Sequence, residues 1–224
     1  MPKVYLSPSN QTENRYAYGS TNEAEQCGRI ADACRIALER SGVTVKLGHM
    51  PSMQEKVRAS DAFGAELHVP IHTNAFNGSV MGTRMFCYNT GKGMAACKAI
   101  FARVAPLSPG TSESIQVNPK LYEVRVPKAP TAYIECEFHD TVEGARWIVE
   151  NAAAIGEAIA RGICDCFGVT FVESEQPKPA QPEQPAEQKL YRVQVGAFAS
   201  RANAEKMVQR LKAAGFDAFI RQDV

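Results

Sequence analysis

The chain has 224 residues, 45% hydrophobic and 22% charged, with a formal net charge of +1, which is ordinary globular usage and excludes disorder of the whole chain. The charges nearly cancel and no basic run occurs, so no nucleic acid partner is expected; no apolar run approaches the roughly 20 residues of a spanning helix, so no membrane insertion is expected. The opening Met1-Pro2-Lys3-Val4-Tyr5-Leu6 enters a strand pattern at once, without the charged start, apolar stretch and cleavage site of a secretory signal, and predicts synthesis in the cytoplasm.

Strand-like and helix-like segments then alternate. Lys3–Leu6 reads as a strand, Glu23–Ser41 as a helix, Val43–Leu47 as a strand, Met53–Ser60 as a helix, and Glu66–Ile71 and Thr83–Asn89 as strands. Gly93–Val104 is a helix, Ala132–Glu135 a strand and Val142–Phe167 a long helix. The first helix is the best signalled: Ser20, Thr21 and Asn22 offer caps, Ile30, Ala31, Cys34, Ile36, Ala37 and Leu38 recur at helical spacing, and Ser41-Gly42 stops it. The fold class expected is α/β, a mostly parallel twisted sheet flanked by helices, with chemistry at the carboxyl ends of the strands.

From Glu173 to Lys189 proline recurs at short intervals without apolar periodicity, the composition of a semi-extended spacer. Beyond it, Leu190–Phe198 alternates as a strand, Ala202–Ala214 is helical and Ala218–Arg221 resumes as a strand, a small βαβ C-terminal module. The seven cysteines are an odd number scattered over apolar faces, and read as buried thiols; Cys164-Asp165-Cys166 lacks the spacer of a metal or redox pair.

Three strand ends carry residues with chemical potential: Ser7-Pro8-Ser9-Asn10-Gln11, His72-Thr73-Asn74, and Glu135-Cys136-Glu137-Phe138-His139-Asp140, with Glu23 at the start of the first helix facing the same edge. Imidazole and carboxylate converging there suit Zn²⁺. The same residues suit a histidine that bonds a loop and a glutamate that favours a helix N-terminus, and the pattern alone does not choose.

Residues 3–168 resemble the zinc-dependent N-acetylmuramoyl-L-alanine amidases of the amidase-3 family. Glu23 stands seven residues before Ile30-Ala31, Ile71-His72-Thr73-Asn74 follows a strand, and Ile134-Glu135-Cys136-Glu137-Phe138 lies near the end, each in the family's order and spacing. The resemblance implies Glu23 and His72 as zinc ligands and Glu135 as the catalytic glutamate. The chain departs from the family at the first landmark, where Ser7-Pro8-Ser9-Asn10 replaces Asp-Pro-Gly-His. Direct register puts Asn10 at the histidine position; the longer Gln11 beside it is preferred as third ligand, with His139 or Glu25 as further help. Glu137 replaces a glycine of the family and reads as a solvated side chain or a substrate contact. Arg84 reads as an exposed strand arginine or a contact to a substrate carboxylate, and His49 and His68 as loop and strand residues.

The C-terminal piece resembles the start of a SPOR repeat, in Tyr191-Arg192-Val193-Gln194-Val195-Gly196-Ala197-Phe198 and Gly215-Phe216-Asp217-Ala218-Phe219-Ile220. Phe198 reads as core or as a face for stacking on sugars. Together the resemblances imply an amidase catalytic domain at 1–172, a linker at 173–189 and a partial SPOR-like cell-wall-binding module at 190–224. The implied reaction is hydrolysis, by zinc-activated water, of the amide between the muramic acid lactyl group and L-alanine of peptidoglycan. The alternative is a catalytically inactive peptidoglycan-binding protein on the same fold. Without a signal, access to the wall is expected through lysis, a holin or a sporulating mother cell.

Overall fold

The computed structural model describes residues 1–174, 195–216 and 218–220. The chain divides into two compact units, Met1–Ser174 and Glu175–Val224.

In the first unit six strands form one sheet: β1 (Lys3–Pro8), β2 (Thr44–Leu47), β3 (Leu67–Asn74), β4 (Arg84–Cys87), β5 (Ser114–Val117) and β6 (Tyr133–Phe138), in the order β2-β1-β3-β6-β4-β5. All neighbouring pairs are parallel except β4 with β6, which is antiparallel. The expected mostly parallel sheet is therefore present, with β4 and β5 reversed. Strands β1 and β3 are buried almost throughout, as central parallel strands covered on both faces must be.

The helices are α1 (Glu23–Arg40), α2 (Met53–Phe63), α3 (Lys92–Val104), α4 (Tyr122–Arg125) and α5 (Val142–Phe167). Helices α1 and α3 both pack on α5, and with Val4, Leu6, Val69, Ile71, Met85, Ile134 and Cys136 of the sheet they enclose the main core. Gly156 and Gly162 of α5 permit this closeness: a Cβ at Gly156 would stand 2.5 Å from Ile30 O, and one at Gly162 would stand 2.4 Å from Ile100 Cα. The Asn22 side chain caps α1 at the Glu25 amide, 3.0 Å away, and Thr141 caps α5 at the Gly144 amide, also 3.0 Å. Ile36 departs from the expected apolar stripe and is 52% exposed, because it lies between the turns that supply Cys34, Ala37 and Leu38 to the core.

The opposite face of the sheet carries Tyr5 and Ser7 of β1, His68 and His72 of β3, Tyr133 and Glu135 of β6 and Arg84 of β4, by their register. Its lower part meets α2 and α4 through Ser60 and Glu123. Near the top the β3–β6 pairing slips: His72 faces Glu135 but Asn74 faces Phe138, so β6 carries one extra residue, a β-bulge. The sheet also runs further than the sequence pattern indicates. Ser7-Pro8, His72-Thr73-Asn74 and Glu135–Phe138 lie inside strands rather than after them, because parallel pairing continues to those positions.

Six cysteines are buried and Cys166 is exposed, against the expectation for that one residue; it lies on the solvent side of the last turn of α5, and all seven are free thiols. No helix among the described residues is long and apolar enough to cross a membrane.

In the second unit the described residues contain α6 (Arg201–Ala213). Val195–Phe198 and Ala218–Ile220 are not in strands, which corrects those parts of the expected βαβ module; residues 190–194 and Arg221, like most of the expected linker, lie outside the described residues. Helix α6 has no buried residue, and Phe198, Phe216 and Phe219 are 41%, 65% and 81% exposed. The described residues thus cover too little apolar surface to order isolated strands, and Phe198 is not core.

Candidate active site

At the carboxyl end of β1 and β3, three sequence-expected residues meet. Asn22 caps α1 so that Glu23, the first helical residue, turns inward and is buried. Its Oε1 lies 2.9 Å from His72 Nδ1. Gln11, on the loop after β1, places its amide nitrogen 3.4 Å from Glu23 Oε1 and 3.4 Å from His72 Nδ1. Asn14, which the sequence reading passed over, donates to Glu23 Oε2 at 2.6 Å and to Gln11 Oε1 at 3.1 Å. Burial works against ionisation of Glu23, but the bonds to His72, Asn14 and Ser9 outweigh it and hold its pKa below the ordinary carboxylate range. His72 is fixed by stacking on Tyr133, ring centroids 4.7 Å apart, and its Nε2 is buried without a partner.

Glu135 is the direct ladder partner of His72. The residue reaches the surface in part, while its Oε2 is buried without a hydrogen bond. Burial, then the nearby charge of Glu23, push its pKa well above the ordinary range, and the Tyr133 hydroxyl opposes them. Tyr133, two residues before Glu135, shares its side of β6; that period of two was the signal available in the sequence. The cluster therefore sets an anionic Glu23 and an imidazole beside a carboxyl with high proton affinity, partly open to solvent through the exposed Gln11.

The other candidates lie elsewhere. Asn10 donates to Pro51 O at 2.7 Å and turns away from the cluster. Glu25 is exposed and accepts from Thr21, so it offers no second carboxylate. His139 is buried against Tyr16 and bonds Thr73 Oγ1 at 2.9 Å; burial lowers its pKa. His49 is an exposed loop residue. Glu137 is neither solvated nor in reach of a substrate: it is fully buried, accepts from the Gly82 and Phe138 amides at 2.6 and 2.7 Å, and binds the Ser108 hydroxyl. Arg84 is half-buried rather than an exposed strand residue. Among the described residues no three His, Cys, Asp or Glu converge; the third corner of the Glu23–His72 cluster is the Gln11 amide.

Below the site, four residues from His72 on the same face of β3, His68 is fully buried. It bonds Ser60 Oγ at 3.0 Å and Glu123 Oε1 at 3.2 Å, and stacks on Tyr5. Glu123 also accepts from Ser7 at 2.5 Å, and buried Lys56 donates to Pro8 O at 2.6 Å. Burial opposes the Glu123 charge, but His68, Ser7 and Lys56 together hold its pKa below the usual carboxylate range. This network anchors the end of β1 from which Gln11 projects. Its members come from separate parts of the chain, and no spacing signal joins them.

The family model described as N-acetylmuramoyl-L-alanine amidase matches residues 5–165, and the SPOR domain model matches residues 173–223. The sporulation-specific N-acetylmuramoyl-L-alanine amidase of Bacillus subtilis (strain 168) is 23% identical over 230 residues, covering 98% of this chain and 84% of that protein. The N-acetylmuramoyl-L-alanine amidase CwlM of Bacillus licheniformis is 25% identical over 228 residues, covering 98% and 85%. Among solved structures, the catalytic domain of CwlV, an N-acetylmuramoyl-L-alanine amidase from Bacillus (Paenibacillus) polymyxa var. colistinus, shares the fold with a TM-score of 0.68 at 15% identity, covering 76% of this chain and 100% of that one. With the family match running from β1 into α5, across every strand and residue of the Gln11–Glu23–His72–Glu135 cluster, the chain belongs to the N-acetylmuramoyl-L-alanine amidase family.

Proposed function

We propose that this peptidoglycan amidase is zinc-dependent, with Glu23, His72 and Gln11 holding the ion and Glu135 carrying the proton in cleavage of the bond between the lactyl group of muramic acid and L-alanine. The observation that carries this reading is the triangle of Glu23 Oε1, His72 Nδ1 and the Gln11 amide, with sides of 2.9, 3.4 and 3.4 Å. Donors about 2.0–2.1 Å from one tetrahedral ion stand roughly 3.3 Å apart, so the residues fit the group. A half-turn of the Gln11 amide exchanges its nitrogen for oxygen and supplies the third donor. Amide oxygen is a weaker zinc donor than imidazole, and the site should hold its ion less tightly than a set with two histidines.

Zinc bound there supplies a Lewis acid and a water of near-neutral pKa. Glu135 takes a proton from the attacking water at its unpartnered Oε2 and returns it to the departing L-alanine amine. Burial and the charge of Glu23 raise its proton affinity, which makes it a stronger base when ionised and an acid still able to donate near neutral pH. Tyr133 keeps the His72 ring in one orientation by stacking. The SPOR match supports a second contribution, contact of the C-terminal unit with the glycan strand.

Metal analysis of the intact chain combined with digestion of purified cell walls tests the proposal. One zinc per chain is expected, with release of new L-alanine amino termini that a chelator stops and zinc restores. Cleavage that persists without metal would overturn the zinc assignment. Wall binding without new amino termini would favour the inactive alternative.

A further inference from the structure

At the ends of β3 and β6 and across to β4, Asn74, Ala75, Phe76, Val80, Arg84 and Phe138 line a groove of about 350 Å³. Arg84 is its one cationic residue and the ladder partner of Glu135 on β4. Its guanidinium lies over the Phe138 ring, 5.2 Å from the centroid, and its Nη2 donates to Ser112 Oγ at 2.9 Å. Its Nε is buried without a partner, and Arg84 forms no ion pair among the described residues. Its ladder partner Glu135 makes no ion pair with it, and the next carboxylate of β6, Glu137, is already saturated by Gly82, Phe138 and Ser108. A guanidinium has five donors in a planar fork suited to a carboxylate. Here the fork is held in place by an aromatic face, and most of it is unused.

A muramoyl peptide presents a carboxylate at a matching distance. The residue after L-alanine is a glutamate joined through its side-chain carboxyl, which leaves its α-carboxyl either free or amidated. One residue of peptide spans about 3.6 Å, and cross-strand partners such as Glu135 and Arg84 stand about 4.5–5.5 Å apart at Cα. An arginine side chain covers the remainder. We propose that Arg84 is a specificity-determining residue that binds the free α-carboxylate of the second stem residue and so selects non-amidated over amidated muramoyl peptides. This rests on the peptidoglycan reading above and adds the part of the substrate that the groove reads.

The test measures binding rather than turnover, so that it stands apart from the zinc mechanism. In the Glu135→Gln chain, calorimetry compares N-acetylmuramoyl-L-alanyl-γ-D-glutamyl-L-lysine with its D-isoglutaminyl counterpart, so that the side-chain carboxyl is in amide linkage in both and only the α-carboxyl differs. The free acid should bind about tenfold or more tightly, the scale of one charge-assisted contact. Glu135→Gln combined with Arg84→Gln should bring the two affinities together, and Arg84→Lys, which keeps charge but loses the fork, should leave an intermediate ratio. A merely structural arginine would shift both ligands alike and leave the ratio unmoved. Equal affinity for the two ligands with Arg84 present, a preference that survives Arg84→Gln, or no binding of either ligand would each overturn the proposal. Failure of the cell-wall digestion with the binding preference intact would instead count against the catalytic reading alone.

Discussion

Replacing Glu135 by glutamine keeps the shape of the side chain and removes both its proton traffic and its charge. In the proposed role of general base and acid it would account for about 10²–10⁴ in rate, so wall digestion by Glu135→Gln should fall by that factor while zinc content stays unchanged. Stability should move the other way. The folded-state pKa of Glu135 is raised by burial and by Glu23, so above about pH 4.3, where the unfolded chain has released this proton, the folded chain still holds it. Stability of the parent therefore falls as pH rises from there through the raised value, by up to about 1.4 kcal/mol per pH unit from this group. Glutamine cannot ionise, and its variant escapes that loss. Urea unfolding of both chains in chelator, at several pH values between 4 and 8, should show the variant gaining on the parent as pH rises. A constant difference across that range, or more than about a tenth of the parent's activity in the variant, would refute the assignment.

Gln11→His places an imidazole at the weak corner of the triangle and should tighten zinc by about tenfold or more, equivalent to ~1.4 kcal/mol, measured by competition with a chromophoric chelator. Glu123→Ala strips His68 of its buried partner and Lys56 of a nearby compensating charge, and should cost about 3–5 kcal/mol in urea unfolding. The folded-state pKa of Glu123 is lowered, so its contribution is present above about pH 4.3 and is lost as pH falls through the lower folded value. The acid limb of the stability curve should accordingly be flatter in a Glu123→Gln chain.

Much of the first unit was legible because its signals are local. Helix α5 keeps the expected ends, Val142 and Phe167, since Thr141 caps it and Gly168 turns into a left-handed conformation at φ 65°. Strand β5 was missed because Ser114–Val117 is short, polar and half-exposed at the sheet edge, and α4 because a single turn shows no periodicity. The site was legible in a different way. Residue types alone left Glu23 and His72 undecided between a metal centre and ordinary capping, and the family spacing selected them. Neither source could show that Glu137 is desolvated and satisfied by the Gly82 and Phe138 amides. Nor could they show that His68 finds its partners 8 and 55 residues away. Those pairings exist only once the sheet has brought α2 and α4 beneath it.

The slipped register of β6 acts as a change of phase. In an unbroken strand, residues three apart look in opposite directions, yet the extra residue lets Glu135 and Phe138 look the same way. One short stretch of backbone thereby delivers both the proposed proton carrier, Glu135, and the aromatic wall against which Arg84 rests. Ironing the bulge into plain alternation with every residue kept would leave Glu135 in position and turn the wall into the helical layer, so the irregular backbone of this segment is as much a part of the cleft as any side chain in it.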